Sequence, residues 1–182
     1  MGCVLAVVGL AGSGKTTVVE YLEKKGWKRI YLGEATFEEM KKRSLEVNEK
    51  NERMVREDIR KKEGMAAYAK RALPKIRAAL SSGNVVVESM YSWEEYLLLR
   101  GEFGDSMRVA AVFAGTDLRQ KRMAERKYRS LTAKELESRD RAQIENLNIA
   151  GPIAKADYTV INTGTIKELY AQVDRIIGGL NG

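Results

Sequence analysis

The fold of this chain is decided by the stretch Gly9-Leu10-Ala11-Gly12-Ser13-Gly14-Lys15-Thr16. It matches the pattern G-x-x-x-x-G-K-[ST] at every fixed position. It follows Val4-Leu5-Ala6-Val7-Val8, an apolar run typical of a parallel strand that is covered on both faces. A helical pattern begins directly behind it. This strand–loop–helix context predicts a phosphate-binding loop (the P-loop, residues 9–16) in an α/β domain.

The residue types of the P-loop suit the phosphates of a nucleoside triphosphate. Glycines let successive backbone N–H groups wrap around phosphate oxygens, and the helix behind the loop directs its positive end toward them. Lys15 is expected to reach the β- and γ-phosphates, and Thr16 offers a hydroxyl to Mg²⁺. The other predicted ATP-binding positions of the loop are Gly9, Gly12, Ser13 and Gly14.

Working outward, four more apolar runs alternate with helical patterns, and each run predicts a strand. The second reads from residue 27 to 32, the third is Val85-Val86-Val87-Glu88, the fourth spans residues 108–114 and the fifth 158–161. Five strands alternating with helices predict a three-layer, doubly wound α/β fold with a parallel sheet. One domain, 1–182, is expected, with a charged helical insertion at residues 34–80.

Glu88 ends the third predicted strand. Ligands of doubly wound folds sit at the carboxyl ends of the strands, where a carboxylate can hold Mg²⁺ or its water. Glu88 is therefore the second candidate metal ligand beside Thr16.

Helix starts are predicted from capping boxes, in which a Ser or Thr is followed three residues later by Glu. Boxes that precede a predicted helix begin at Thr36, Ser92, Thr132 and Thr165.

Composition excludes several classes of chemistry. The chain has no histidine, which removes Ser-His-Asp and Cys-His catalysis and His-ligated metal sites. Its single cysteine, Cys3, leaves no internal disulfide and agrees with a reducing cytoplasm. No apolar run approaches transmembrane length, so no membrane association is expected. Monomer and dimer are both open.

Positive charge is concentrated in one segment. The net charge is +7, and residues 119–141, with nine basic and four acidic side chains, hold +5 of it. Arg119, Arg122, Arg126 and Arg129 are spaced three, four and three apart, which places them on one face of a helix. Triphosphate oxygens would compensate such a stripe, because arginine forks suit phosphate. Residues 119–141 (the lid segment) are therefore predicted to clamp phosphates.

Further polar side chains are candidates for holding the phosphate acceptor. Glu34 follows the second strand, and Arg60 and Arg71 lie on predicted helices of the insertion. For each of them a solvated surface position is an equally good interpretation.

With these features the chain resembles the nucleoside monophosphate kinases. Among them it looks most like small archaeal adenylate-kinase-related proteins, which are themselves similar to dephospho-CoA kinases. The resemblance covers nearly the whole chain. The stretches that carry it are residues 9–17, 60–64, 69–74 and 139–141, Ala156-Asp157-Tyr158 and Asn162-Thr163-Gly164-Thr165.

The resemblance implies a sheet of order 2-3-1-4-5, an acceptor-binding insertion and a mobile lid. It also implies roles for individual residues. Arg122 would lie against the donor base, and Arg126 and Arg139 would reach the transferred phosphate as catalytic residues. Thr17 would join the ATP site, and Thr163 and Gly164 would border the base pocket.

The chain departs from the family on the acceptor side. Where these kinases usually have Asp-Gly-x-x-Arg, this chain has Glu88-Ser89-Met90-Tyr91-Ser92. An arginine that often follows the second strand is replaced by Phe37. Arg60 or Arg71 is expected to substitute, and Tyr91 is taken as an acceptor-site residue.

The leading hypothesis is therefore a small nucleotide kinase, with ATP as donor, Mg²⁺ as cofactor and a nucleoside monophosphate or similar nucleotide as acceptor. One alternative is a kinase for a hydroxyl acceptor, with Glu34 as general base. The other is a nucleotide-switched or nucleic-acid-associated ATPase, which the basic pI of 9.4 permits. Nucleic acid is the less favoured partner, since the chain has no basic tail and no aromatic-rich basic surface.

Overall fold

The computed structural model describes residues 2–127 and 130–180. Its centre is one five-stranded sheet in which all strand pairs are parallel. The strand order is β2-β3-β1-β4-β5, which confirms the predicted topology. The strands are β1 (Val4–Val8), β2 (Lys28–Tyr31), β3 (Val85–Glu88), β4 (Met107–Phe113) and β5 (Tyr158–Ile161).

Helices cover both faces of the sheet. They are α1 (Lys15–Lys24), α2 (Glu34–Lys42), α3 (Glu49–Glu63), α4 (Ala67–Leu80), α5 (Trp93–Phe103), α6 (Thr116–Ala124), α7 (Ala133–Glu145), α8 (Ala150–Ala154) and α9 (Ile166–Leu180). Alternate side chains of β1 enter different cores: Leu5 and Val7 pack with α1 and α9, whereas Val4, Ala6 and Val8 pack with the helices of the other face. This is why β1 is apolar at every position and fully buried.

Helix boundaries confirm some capping boxes and correct one. The boxes at Ser92 and Thr132 are both present, with reciprocal bonds to Glu95 and Glu135. The box expected at Thr36 is wrong, because α2 already begins at Glu34. Thr36 lies inside that helix, where its buried hydroxyl is 2.8 Å from the hydroxyl of Tyr68 and ties α2 to α4.

The predicted arginine stripe is also corrected. Helix α6 ends at Ala124, so Arg119 and Arg122 lie on it but Arg126 lies beyond its end. Arg129 falls outside the described residues. The four arginines therefore do not share one helix face, and each must be located separately.

The outer edge of the sheet at β5 is closed by a side chain. Ile161 donates its N–H to Gln172 Oε1 at 2.9 Å, and Gln172 Nε2 donates to the Ile161 carbonyl at 2.8 Å. The side chains of Ile161 and of Phe113, its register partner on β4, remain exposed, at 45% and 55%. Across residues 2–127 and 130–180, no helix is both long and apolar enough to cross a membrane.

Candidate active site

The P-loop has the backbone conformation that its glycines predict. Gly12 and Gly14 adopt φ of 79° and 101°, a region that residues with a side chain rarely enter. A Cβ at Gly14 would collide with the amide of Asn162. Lys15, at 9% exposure, folds back and donates to the Leu10 carbonyl at 2.9 Å. Thr17 is partly buried in the first turn of α1.

Thr16 and Glu88 meet at the start of α1. The Thr16 hydroxyl donates to Glu88 Oε1 at 2.9 Å, although the two residues belong to different elements. Glu88 is 4% exposed, and its other oxygen accepts from Arg29 Nε at 2.8 Å. Hydroxyl and carboxylate oxygens are the ligands that Mg²⁺ prefers, so this pair fits the predicted metal. Among the described residues no group of three or more His, Cys, Asp or Glu could hold a metal, so phosphate oxygens would complete the coordination.

Positive charge converges on Lys15. Burial lowers the pKa of the Lys15 ammonium, and the charges of Arg139 and Arg126 lower it further, against opposition from Tyr91 and Glu88. The charges of Arg126 and Arg139, the two arginines predicted to be catalytic, therefore both act on the lysine of the P-loop. An assembly of like charges around a buried ammonium is stabilised by an anion placed among them.

Tyr91 faces the same point. Burial raises the pKa of its phenol, but Lys15 and Arg139 lower it by more, so the pKa of Tyr91 lies below its ordinary value of 10.0. Its hydroxyl is 3.4 Å from that of Ser89, which has a left-handed φ of 68°. Tyr91 thus stands where P-loop, lid segment and the end of β3 meet.

Asn162, directly after β5, connects the P-loop to α6. Asn162 Nδ2 donates to the Ser13 carbonyl at 2.8 Å, and the Asn162 carbonyl accepts from Arg122 at 3.1 Å. Arg122 is therefore held beside the P-loop. Thr163 and Gly164 follow as exposed residues of the same loop. The structure thus brings Arg122 to the residue that precedes Thr163 and Gly164, and their role beside the donor base stays a prediction.

A cleft of about 700 Å³ opens from Tyr91 between the insertion and α7. Its size is that of a small-molecule site. The side chains that line the cleft are of aromatic, apolar, polar and charged types. They include Tyr31, Phe37, Tyr68 and Met65, the charged residues Arg53, Arg56, Arg60 and Glu57, and from the lid side Leu131, Glu135, Arg139 and Gln143.

Arg60 is more enclosed than Arg53 and Arg56 of the same cleft wall, with 11% of its side chain exposed against 68% and 29%. Its guanidinium lies 4.7 Å from the centre of the Tyr68 ring. One of its nitrogens lies 3.7 Å from Oε1 of Glu95, and its Nε is buried without a hydrogen-bond partner. A buried guanidinium with unused donor capacity is suited to binding an anion.

Two predicted acceptor residues lie away from this cleft. Glu34 does not line it; its carboxylate pairs with Lys75 at 2.8 Å and is about half exposed. Arg71 bonds Glu63 through two nitrogens and also does not line the cleft. Glu34 and Arg71 are both engaged in ion pairs on the insertion. Of the two arginines expected to substitute on the acceptor side, Arg60 and Arg71, it is Arg60 that lines the cleft.

The role predicted for Arg119 is corrected. Instead of facing phosphates, it is 5% exposed and bonds the Ala11 carbonyl at 3.0 Å and Asp140 Oδ2 at 2.7 Å. A carboxylate and a backbone oxygen, not a triphosphate, compensate its charge.

Sequence reasoning missed Arg29, Asn162 and Glu95. Arg29 sits in a strand that has no apolar alternation, and nothing in its neighbourhood shows that Glu88 is its partner. Asn162 was visible inside a quoted stretch but carried no assigned role. Glu95 was recognised as a capping residue. It is fully buried and accepts N–H bonds from Tyr91 at 2.8 Å and Ser92 at 3.0 Å, so it also fixes the loop that carries Tyr91.

Comparison with known proteins places this site in a family. Residues 5–145 match a family model described as an AAA domain. Over 178 residues the chain is 33% identical to a UPF0200 protein of Thermococcus kodakarensis, and the match covers 96% of each. The chain belongs to the AAA-domain family and to the UPF0200 proteins. This AAA-domain protein is also 33% identical over 177 residues to the UPF0200/UPF0201 protein of Archaeoglobus fulgidus, of whose length it spans 54%.

Solved structures establish the fold. A shikimate kinase from Bacteroides thetaiotaomicron superposes with a TM-score of 0.62 at 14% identity, covering 99% of both chains. A gluconokinase from Sinorhizobium meliloti gives 0.57 at 18% identity, covering 99% of this chain and 95% of that one. The AAA-domain protein therefore has the P-loop kinase fold that the sequence predicted. The narrower resemblance, to adenylate-kinase-related and dephospho-CoA-kinase-like proteins, stays a prediction.

Proposed function

We propose that the protein transfers the γ-phosphoryl group of ATP to the phosphate of a nucleoside monophosphate or a similar nucleotide. The observation that carries this proposal is that Arg139 and Tyr91 line the cleft, while their charges and that of Arg126 act on the buried Lys15. A switch or simple ATPase needs a phosphate loop but no acceptor cleft. A P-loop and a cleft of small-molecule size that share this cluster of positive charge support a transfer between two bound molecules.

On the donor side, the P-loop N–H groups and Lys15 bind the β- and γ-phosphates, and Arg122 with Thr163 and Gly164 borders the base. Thr16 and Glu88 would hold Mg²⁺. That ion would neutralise phosphate charge and orient the γ-phosphoryl group.

On the acceptor side, Arg60 binds the anionic phosphate, and the aromatic side chain of Phe37 offers surface for a base or ribose. The acceptor phosphate is already an anion near neutral pH, so its oxygen attacks without a general base. As that oxygen forms its bond to the γ-phosphorus, the bond to the β-phosphate oxygen breaks and ADP leaves. Lys15, Arg126 and Arg139 stabilise the charge that spreads over the transferred group.

A hydroxyl acceptor is the second candidate, because both kinases named among the structural neighbours, shikimate kinase and gluconokinase, are named for acceptors other than nucleotides. Such a reaction benefits from a base. Glu34, the base expected from the sequence, pairs with Lys75 outside the cleft. The position of Glu34 therefore favours the phosphate acceptor.

ADP release against a panel of acceptors tests the proposal. We expect turnover with at least one nucleoside monophosphate, little with dephospho-CoA or shikimate, and little with no acceptor. Turnover with a hydroxyl acceptor would establish the second candidate. ADP release that ignores every acceptor would make the protein an ATPase and refute both.

Lys15→Ala is expected to lower kcat/KM by about 100-fold or more, since it removes a charge aimed at the transferred group. Lys167→Ala, an exposed lysine on α9, is the matched control and should leave turnover unchanged. Circular dichroism checks that both variants fold. Wild-type turnover in folded Lys15→Ala would contradict the mechanism.

A further inference from the structure

A buried ion pair within the lid segment is also bonded to the P-loop. Arg119 of α6 and Asp140 of α7 are 5% and 7% exposed, and their side chains meet at 2.7 Å. Arg119 donates through its other terminal nitrogen, Nη1, to the Ala11 carbonyl at 3.0 Å. One guanidinium therefore holds a backbone atom of the phosphate loop and a carboxylate of the lid helix at the same time.

Close packing surrounds this junction. A Cβ at Gly12 would approach the Arg119 carbonyl to 2.9 Å and Met123 Cγ to 3.0 Å, so the loop lies directly against α6. Ala11, Met123 and Leu136 form a small apolar cluster of their own. The start of the lid segment is thus packed directly against the P-loop.

Arg139 is the neighbour of Asp140 on α7. It lines the same cleft as Tyr91, and its charge acts on both Lys15 and Tyr91. Because the Asp140 side chain is fixed by Arg119, the rotation and height of this turn of α7 are fixed too. The guanidinium of Arg119 spans the distance between Asp140 and Ala11. The direction in which the Arg139 side chain points then depends on that distance.

We propose that Arg119 and Asp140 are positioning residues that set Arg139 against the occupied P-loop. The pair transmits nucleotide binding at the P-loop to α7. The inference rests on the proposed phosphoryl transfer for its kinetic consequence, whereas the mechanical coupling itself requires nucleotide binding alone.

A purely structural pair and a positioning pair respond differently to apolar replacement. Buried ion pairs replaced by well-packed apolar residues of similar volume often keep or increase stability. The double variant Arg119→Met/Asp140→Val has a volume close to that of the original pair. It fills the junction but leaves nothing to hold the Ala11 carbonyl. The expected result is a thermal midpoint near that of the wild type together with a kcat about 10- to 100-fold lower, since small misplacements of a catalytic group have effects of this size.

Arg100 offers a matched control. It too bonds a backbone carbonyl, that of Met107 at 2.7 Å, and a carboxylate, that of Asp157 at 2.9 Å, but it joins α5 to β4 away from the P-loop. Arg100→Met should leave kcat unchanged. A double variant that keeps both its midpoint and its kcat would show that the Arg119–Asp140 pair is only structural.

Hydrogen exchange separates this inference from the proposed function. Addition of ATP is expected to slow exchange in residues 12–16 and in residues 133–143 of the wild type. In the double variant we expect the slowing to persist in residues 12–16 and to disappear from residues 133–143. Equal slowing of α7 in both proteins, or none in the wild type, overturns the coupling. Failure of every acceptor in the turnover assay overturns the proposed function and leaves the exchange result to be judged by itself.

Discussion

Removal of Arg29 should destabilise the protein far more than removal of a similar arginine at the surface. Arg29 bonds Glu88 Oε2 through Nε at 2.8 Å, and 6% of the Glu88 side chain is exposed. In Arg29→Met the aliphatic part of the side chain is kept, but this nearly buried carboxylate loses its cation. The Thr16 hydroxyl then remains as its described hydrogen-bond donor.

The magnitude follows from burial. Breaking a fully buried ion pair by removing one partner costs about 3–5 kcal/mol, because it leaves an uncompensated charge. Arg29 is 31% exposed, so water replaces part of what it supplies, and Thr16 continues to donate. Both corrections reduce the cost, and we expect about 2–3 kcal/mol of lost unfolding free energy.

Arg53→Met is the matched control. Arg53 Nε donates to Glu57 at 2.9 Å, nearly the same geometry, but the two side chains are 68% and 67% exposed. Its loss should cost no more than about 0.5 kcal/mol. Urea unfolding at 25 °C, followed by circular dichroism, measures both. If Arg29→Met shifts the free energy no further than Arg53→Met, the pairing of Arg29 with Glu88 does not contribute as the structure indicates.

Two further predictions concern Gly14 of the P-loop and Glu95 in the first turn of α5. Gly14→Ala should abolish ATP binding in a fluorescent-nucleotide titration, since its φ is positive and its Cβ meets Asn162; binding within about threefold of the wild type would be inconsistent with this loop geometry. Burial raises the pKa of Glu95 above 4.5, so its ionisation lowers stability as the pH rises from 4.5 to the higher folded value. Glu95→Gln removes this dependence, and urea unfolding should show the variant gaining stability relative to the wild type as the pH is raised above 4.5. An unchanged difference in stability would count against it.

The fold was predictable because its signals are local and agree with one another. The apolar run before Gly9, the P-loop and the alternation of strands with helices indicate a parallel sheet, and the family resemblance supplied its order. The box at Thr36 failed for a physical reason. The same Thr-x-x-Glu spacing also fits a buried threonine inside a helix, and the hydroxyl of Tyr68, 32 residues away, is its partner.

The candidate site was predictable where chemistry follows from the motif, and less so where it depends on partners distant in sequence. Arg119 and Arg122 are the same residue type three positions apart. Nevertheless, Arg119 bonds Asp140, whereas Arg122 bonds Asn162. Periodicity placed the arginines on one face because it does not show where α6 ends. The fate of each arginine depends on tertiary contacts that spacing does not contain.

The same limit applies to the acceptor wall. Arg60 and Arg71 lie on neighbouring helices with similar surroundings in the sequence. Glu63 engages Arg71, while Arg60 stacks on Tyr68 and turns to the cleft. The choice between them required the packing of α3 against α4.

The side chain of Gln172 has a consequence for how this molecule behaves among its own copies. The last strand of an open sheet is a template on which another chain can add a strand. Gln172 offers Ile161 one acceptor and one donor, as the peptide groups of an added strand would. The exposed side chains of Phe113 and Ile161 lie beside it, and their burial by an added strand would stabilise the contact between two molecules. One amide therefore acts as a minimal sixth strand and discourages growth of the sheet from molecule to molecule.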